Sequence, residues 1–133
     1  MASILKVDDL RGNISAGDIT ITSEGGAATQ SLQQGLAKAQ ALTPVLEETL
    51  HSLRGHPHIT DIRNFGLAGA LQIAPRDGDP VIRPFELGIK CWEMGLYVRW
   101  GGDTLQFGPP FTASPEDVCS IATIVGEALD QVS

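Results

Sequence analysis

Leu96-Tyr97-Val98-Arg99-Trp100-Gly101-Gly102-Asp103-Thr104-Leu105-Gln106-Phe107 carries two apolar runs parted by a glycine pair. Aromatic and β-branched residues suit a pleated surface, and a Gly-Gly break lets the chain reverse sharply, so the stretch predicts strands over 96–100 and 104–107. Arg99 stands inside the first strand, among Tyr97, Val98 and Trp100. A planar guanidinium there suits two roles. It can grip a carboxylate through two parallel hydrogen bonds while stacking on a ring, or it can pair locally with Asp103 or Glu93. Spacing alone favours the local pairing.

Before this hairpin, Phe85, Ile89, Trp92 and Leu96 recur at three- and four-residue steps, which predicts a helix ended by Gly95 in a left-handed conformation. After it, Ser114-Pro115-Glu116-Asp117 reads as a helix start: an N-cap serine, a first-turn proline, and an acid placed to close a capping box. The buried face of that helix is expected at Val118, Ile121, Ala122, Val125, Leu129 and Val132. Further upstream, His58–Asn64 and Leu67–Ala74 predict a pair of strands, and Pro75–Pro80 a solvent loop dense in turn residues. From Leu32 to about Leu53 the spacing is helical, with Leu42, Val45, Leu46, Thr49, Leu50 and Leu53 on one face. Pro44 leaves two possibilities: two helices meeting, or a second helix starting with Thr43 as N-cap.

The order helix, strand pair, helix, strand pair, helix predicts an α+β fold, a small mostly antiparallel sheet with helices packed on one face. Residues 32–133 form this domain in our reading. Residues 1–31 form an N-terminal extension, with a short strand at Gly17–Thr22, a turn at Arg11-Gly12-Asn13 that makes a β-hairpin plausible, and a joint at Ser23–Gly26.

Bulk properties exclude several classes. A chain of 133 residues with 42% hydrophobic and 19% charged residues has the composition of one folded domain rather than a disordered segment. Net charge −7, with three lysines and six arginines, argues against nucleic acid as a partner. No apolar run is long enough to span a membrane, and Met1–Lys6 lacks signal-peptide features, so the expected location is cytoplasmic. Cys91 and Cys119 fall in separate helices and read as small buried hydrophobes. His51, His56 and His58 straddle a helix end and a proline turn and read as surface residues, and Asp77 and Asp79 lack the rest of a calcium loop, so no metal site is expected. Hydrolase, P-loop and zinc-protease motifs are missing, and no catalytic residue is assigned.

Three separated segments bear a resemblance in order and spacing. Asp61-Ile62-Arg63-Asn64-Phe65-Gly66-Leu67-Ala68-Gly69-Ala70, Ala74–Pro80, and Leu96–Pro110 resemble the C-terminal small domain of class III pyridoxal-phosphate-dependent aminotransferases of the β-alanine (omega-amino acid):pyruvate type. The likeness covers about residues 42–133. It implies an aminotransferase small domain that packs against a large domain, with Arg99 binding the substrate carboxylate and swinging aside for substrates without one. The family's Schiff-base lysine, pyridine-facing acid and phosphate-binding residues lie upstream of the matched segment. Lys6, Lys38 and Lys90 are poorly placed to replace that lysine. The resemblance therefore implies a detached small domain that is inactive alone, with no cofactor-binding residues and no cofactor in this chain, although the family uses pyridoxal phosphate.

Residues 1–38 do not match. Ala2–Leu10 and Ser31–Ala39 resemble the opening of short phage structural proteins, with a join near Lys38. Two alternative functions remain: a structural or assembly module, or a non-catalytic carboxylate binder. A small domain without its large partner exposes apolar surface, which leads us to expect a homo-oligomer through that surface, or a separate large-domain chain as partner.

Overall fold

The computed structural model describes residues 20–22 and 29–132. The chain divides into two compact units, Met1–Lys38 and Ala39–Ser133. In the first, β1 (Thr20–Thr22) pairs antiparallel with β2 (Thr29–Ser31), Ile21 opposite Gln30. The expected strand at residues 17–22 is present over its described part, but its partner lies downstream. The expected turn at Arg11–Asn13 and joint at Ser23–Gly26 fall outside the described residues.

Helix α1 (Leu32–His51) runs through Pro44 without a break. Neither arrangement read from the sequence occurs. Proline removes one backbone hydrogen bond at a cost of about 3 kcal/mol. Pro44 is exposed, and one residue before it the Thr43 hydroxyl donates to the Ala39 carbonyl at 3.1 Å. Packing of Leu42, Leu46, Thr49 and Leu50, all buried on one stripe, offsets the proline's cost.

The remaining elements are β3 (Ile59–Phe65), β4 (Ala68–Ile73), α2 (Ile82–Glu93), β5 (Arg99–Gly101), β6 (Thr104–Phe107) and α3 (Pro115–Leu129). The four strands form an antiparallel sheet in the order β3-β4-β6-β5. Alternation assigns the faces. Ile62, Leu71, Leu105 and Trp100 form one row across the sheet, and Leu71, Ile73, Leu105 and Phe107 are buried. Leu46, Leu50, Leu87, Cys91, Val118, Val125 and Leu129 join them in one core, so the helices cover a single face as expected. Gly69 of β4 admits the Leu50 side chain, and Gly88 of α2 admits the Trp100 ring.

β5 begins three residues later than the sequence suggested. Helix α2 ends in a Schellman motif: Gly95, at φ +90°, donates to the Trp92 carbonyl at 3.0 Å, and Leu96 donates to Cys91 at 2.8 Å. Leu96 is thus committed to the helix end. The glycine pair is also divided, Gly101 closing β5 and Gly102, at φ +58°, making the turn.

Helix α2 exists where expected, but its apolar repeat lies on the outside. Arg83, Pro84, Leu87, Gly88 and Cys91 are buried, whereas Phe85, Ile89 and Trp92 are exposed. Periodicity identified the helix, and a small-residue stripe, Gly88 and Cys91, packs on the sheet in place of the large apolar repeat. Cys91 is a buried hydrophobe as expected, its thiol pushed up to about 11 by burial. Cys119 is exposed on α3, contrary to expectation. Ser114 and Asp117 form the anticipated capping box, and bonding to the Ser114 backbone and hydroxyl holds the Asp117 carboxyl below its ordinary value. No helix among the described residues is long and apolar enough to cross a membrane.

Two expectations follow. Gly88→Ala places a methyl against Cε3 and Cζ3 of Trp100. Overpacking of about 1–3 kcal/mol outweighs a helix-propensity gain of about 1 kcal/mol. The urea midpoint should fall; a rise would contradict the close α2–β5 contact.

His58 links the α1–β3 connection to the chain end, its Nε2 lying 3.1 Å from the Val132 carbonyl oxygen. Its pKa is lowered from 6.5 by partial burial, then by the charges of Arg83 and His56; Val132 opposes the shift, and Arg76 adds slightly to it. A lowered folded pKa means the unfolded chain binds more protons, so stability is full above the unfolded value of 6.5 and declines as pH falls below it. Denaturation midpoints measured across that range should drop on acidification, and His58→Gln should make the drop smaller.

Candidate functional site

The face of the sheet opposite the helices carries Arg99. Arg63 on β3 is registered with Ala70 on β4, Ala70 with Gln106 on β6, and Gln106 with Arg99 on β5. The four residues form one row on the outer face, and the neighbouring row is Asp61, Gln72, Thr104 and Gly101. β3 and β5 are the edge strands, so the row has a guanidinium at each end and a low centre. A shallow depression of about 560 Å³ lies over it, lined by Arg63, Phe65, Ala70, Gly101, Thr104 and Gln106 among others.

Arg99 is exposed, and neither local partner suggested by spacing engages it. Asp103 accepts from Gln72 Nε2 at 2.8 Å and from the Thr104 hydroxyl at 2.8 Å, while Glu93 takes Lys90 Nζ at 2.9 Å. Hydrogen bonds from Thr104 and Gln72, in that order, hold the Asp103 carboxyl below its ordinary range. Among the described residues, Arg99 has no ion-pair partner. Its backbone is fixed by pairing with β6 while its guanidinium is left to solvent, an arrangement suited to an external anion.

Arg63 was quoted in the sequence only as part of a motif. Its Nε lies 3.1 Å from Asp61 Oδ2, and both side chains are more than two-fifths exposed, at 59% and 48%. Strand alternation alone puts Asp61, Arg63 and Phe65 on a common face, but only the pairing register aligns Arg63 with Arg99.

The other sequence candidates resolve into structure. His51 is bonded to Asn64 at 3.0 Å and to Arg54 at 2.8 Å, and His56 approaches Asp130 at 3.4 Å. All three histidines are half-buried rather than on the open surface. Asp77 and Asp79 lie in the exposed turn that Arg76 and Asp79 close. No group of three histidine, cysteine, aspartate or glutamate side chains among the described residues is placed to hold a metal ion. Arg76 pairs bidentately with Glu86 at 3.1 and 2.6 Å, holding that carboxyl below its ordinary value, and buried Arg83 donates to the Ala74 and Pro75 carbonyls. These arginines tie α2 to the preceding loop. A second depression, about 400 Å³ between Tyr97 and Val118, is largely apolar, and its carboxylate, Asp117, is committed to the capping box.

No family model matches the chain. It is 59% identical over 92 residues to the β-alanine:pyruvate aminotransferase of Pseudomonas aeruginosa, a match covering 69% of this chain and 20% of that protein. It is 50% identical over 103 residues to the omega-amino acid:pyruvate aminotransferase of Pseudomonas putida, covering 77% and 22% respectively. The chain therefore spans about a fifth of the length of these relatives. Among solved structures, an aminotransferase from Vibrio fluvialis in its PMP-bound form superposes with a TM-score of 0.69 at 23% identity, over 75% of this chain and 24% of that one. An omega-transaminase from Pseudomonas jessenii in complex with PMP gives 0.67 at 24% identity, over 74% and 23%. At that identity the structures speak to fold, and the curated relatives supply the lineage. Over its matched part, the chain is a relative of the class III β-alanine/omega-amino acid:pyruvate aminotransferases, with the α+β fold seen in omega-transaminase structures.

Proposed function

We propose that this chain is a carboxylate-binding small-domain module of the aminotransferase type, one that grips the acid group of an amino or keto acid through Arg99 and does not itself transaminate. The observation that carries this reading is the exposed Arg99 guanidinium on edge strand β5, beyond its local acids, on the helix-free face. The names of the curated relatives, which act with pyruvate, support a small keto acid as ligand.

Pyridoxal phosphate serves the relatives, and the described lysines do not suit it. Lys90 sits on the outer surface of α2 with its amine engaged by Glu93, and Lys38 is exposed on α1. Lys90 lines a shallow depression with Phe85, Ile89 and Val132, but its amine is paired with Glu93 rather than desolvated. The chemistry proposed for these residues stops at binding.

One exposed arginine on an open sheet edge supports weak binding, on the order of millimolar. Pyruvate and β-alanine at several times that concentration should raise the melting temperature by a few degrees, about 1 kcal/mol of stabilisation. Arg99→Ala should remove the shift. No shift with either ligand, or an equal shift in the variant, would overturn the assignment.

A second reading, a self-associating structural module, is favoured by one feature. Phe85, Ile89, Trp92 and Tyr97 are 47%, 40%, 64% and 74% exposed, and the Trp92 and Tyr97 rings stand edge to face with centroids 5.8 Å apart. Covering such a surface stabilises an oligomer. Sedimentation velocity should then show a species larger than one chain, shifted toward monomer by Trp92→Glu; a monomeric wild type at high concentration would rule this reading out.

A further inference from the structure

The row of the outer sheet face that holds Arg99 ends in a second arginine. We infer that Arg63 is a further anion contact of this face, so that the site takes short α,ω-dicarboxylates, one acid group on Arg99 and the other on Arg63. This rests on the carboxylate role proposed above for Arg99.

Geometry supports the pairing. Arg63, Ala70, Gln106 and Arg99 are register partners on four adjacent strands, so their side chains rise from the same face. At roughly 4.8 Å per strand, the two arginine Cα atoms stand about 14 Å apart. Ala70 between them contributes only a methyl, and Gln106 an amide, so nothing bulky stops the long side chains from leaning inward. Arg63 and Gln106 both line the depression of about 560 Å³ over this row.

Arg63 retains capacity for a ligand. Its Nε is the atom facing Asp61 Oδ2, and among the described residues its two terminal amino groups have no other partner. Two parallel hydrogen bonds from those groups match the oxygens of a carboxylate. Asp103, the other acid near the row, is occupied by Gln72 and Thr104. Its lowered pKa owes most to those two bonds and a smaller part to the charge of Arg63, which therefore acts across the face as far as the β5–β6 turn. A diacid of glutarate length has one acid group for each guanidinium, whereas butyrate, with the same carbon skeleton but for one acid, reaches only one.

The test uses the full chain and isotope-detected NMR titration with glutarate and with butyrate. Wild type should bind glutarate about tenfold more tightly than butyrate, the worth of one added charge-assisted contact in an exposed site. Arg63→Gln should close that gap by weakening glutarate binding about tenfold. Asp61→Asn, which frees the Arg63 Nε, should widen it, and this variant keeps both arginines in place should Arg63→Gln prove poorly folded. Equal affinities in wild type, a gap that survives Arg63→Gln, or no binding of either acid would overturn the proposal. The Arg99 reading is scored separately: butyrate binding undiminished in Arg99→Ala defeats that reading, whereas butyrate binding weakened in Arg99→Ala, with no glutarate preference in wild type, defeats the Arg63 proposal alone.

Discussion

The pairing of β4 with β6 holds the two hairpins of the main unit in one sheet, and its register decides what each side chain meets. Leu71 stands opposite Leu105 and Gly69 opposite Phe107. A slip of one residue between them would turn one of Leu71 and Leu105 to solvent and put Ala70 or Gln106 beneath the helices in its place, opening the core. Polar contacts pin the register at the open end of the pair. The Ile73 amide donates to the Asp103 carbonyl at 2.8 Å, and the Gln72 side chain donates to the Asp103 carboxylate at 2.8 Å. One residue of the β5–β6 turn thus secures β4 through both its backbone and its side chain.

From that register the two faces acquire different fates. The helical face is closed by α1, α2 and α3 around buried leucine, isoleucine and valine, where burial of each large side chain contributes about 1.5–3 kcal/mol. Close approach at Gly69 and Gly88 seats Leu50 and Trp100 against their neighbours. The opposite face carries Arg63, Gln106, Arg99 and Thr104, groups that water or an anion can satisfy and a hydrophobic layer cannot. A sheet covered on one side thereby presents arginines on the other, both positioned by backbone pairing, with Arg63 also paired to Asp61.

Arg99 gains its proposed role from the commitments of its neighbours. Asp103 is held by Gln72 and Thr104, and Glu93 by Lys90, so the nearby acids have other partners. Its strand lies at the edge of the sheet and ends at Gly101, beside the turn made by Gly102. The fold similarity to omega-transaminases concerns the α+β architecture, and the chain spans only about a fifth of its curated relatives.

Much of this fold was legible in the sequence. The capping box at Ser114, the α1 stripe from Leu42 to Leu50, the strand pairs and the Gly95 helix end follow from local propensity and periodicity, which depend on neighbours a few residues away. Resemblance carried by three separated motifs pointed to the aminotransferase lineage, and it implied the carboxylate role proposed for Arg99. Other features waited on contacts between residues distant in sequence. The orientation of α2 depended on which stripe fits the sheet, and close packing chose Gly88 and Cys91 over Phe85, Ile89 and Trp92. Continuity of α1 through Pro44 depended on whether tertiary burial exceeds the local cost of proline, and the exposure of Cys119 on what α3 happens to face. The alignment of Arg63 with Arg99 needed the full strand order, because sequence determines which residues share a face of their own strand while only hydrogen-bonded register determines which stand in line across a sheet.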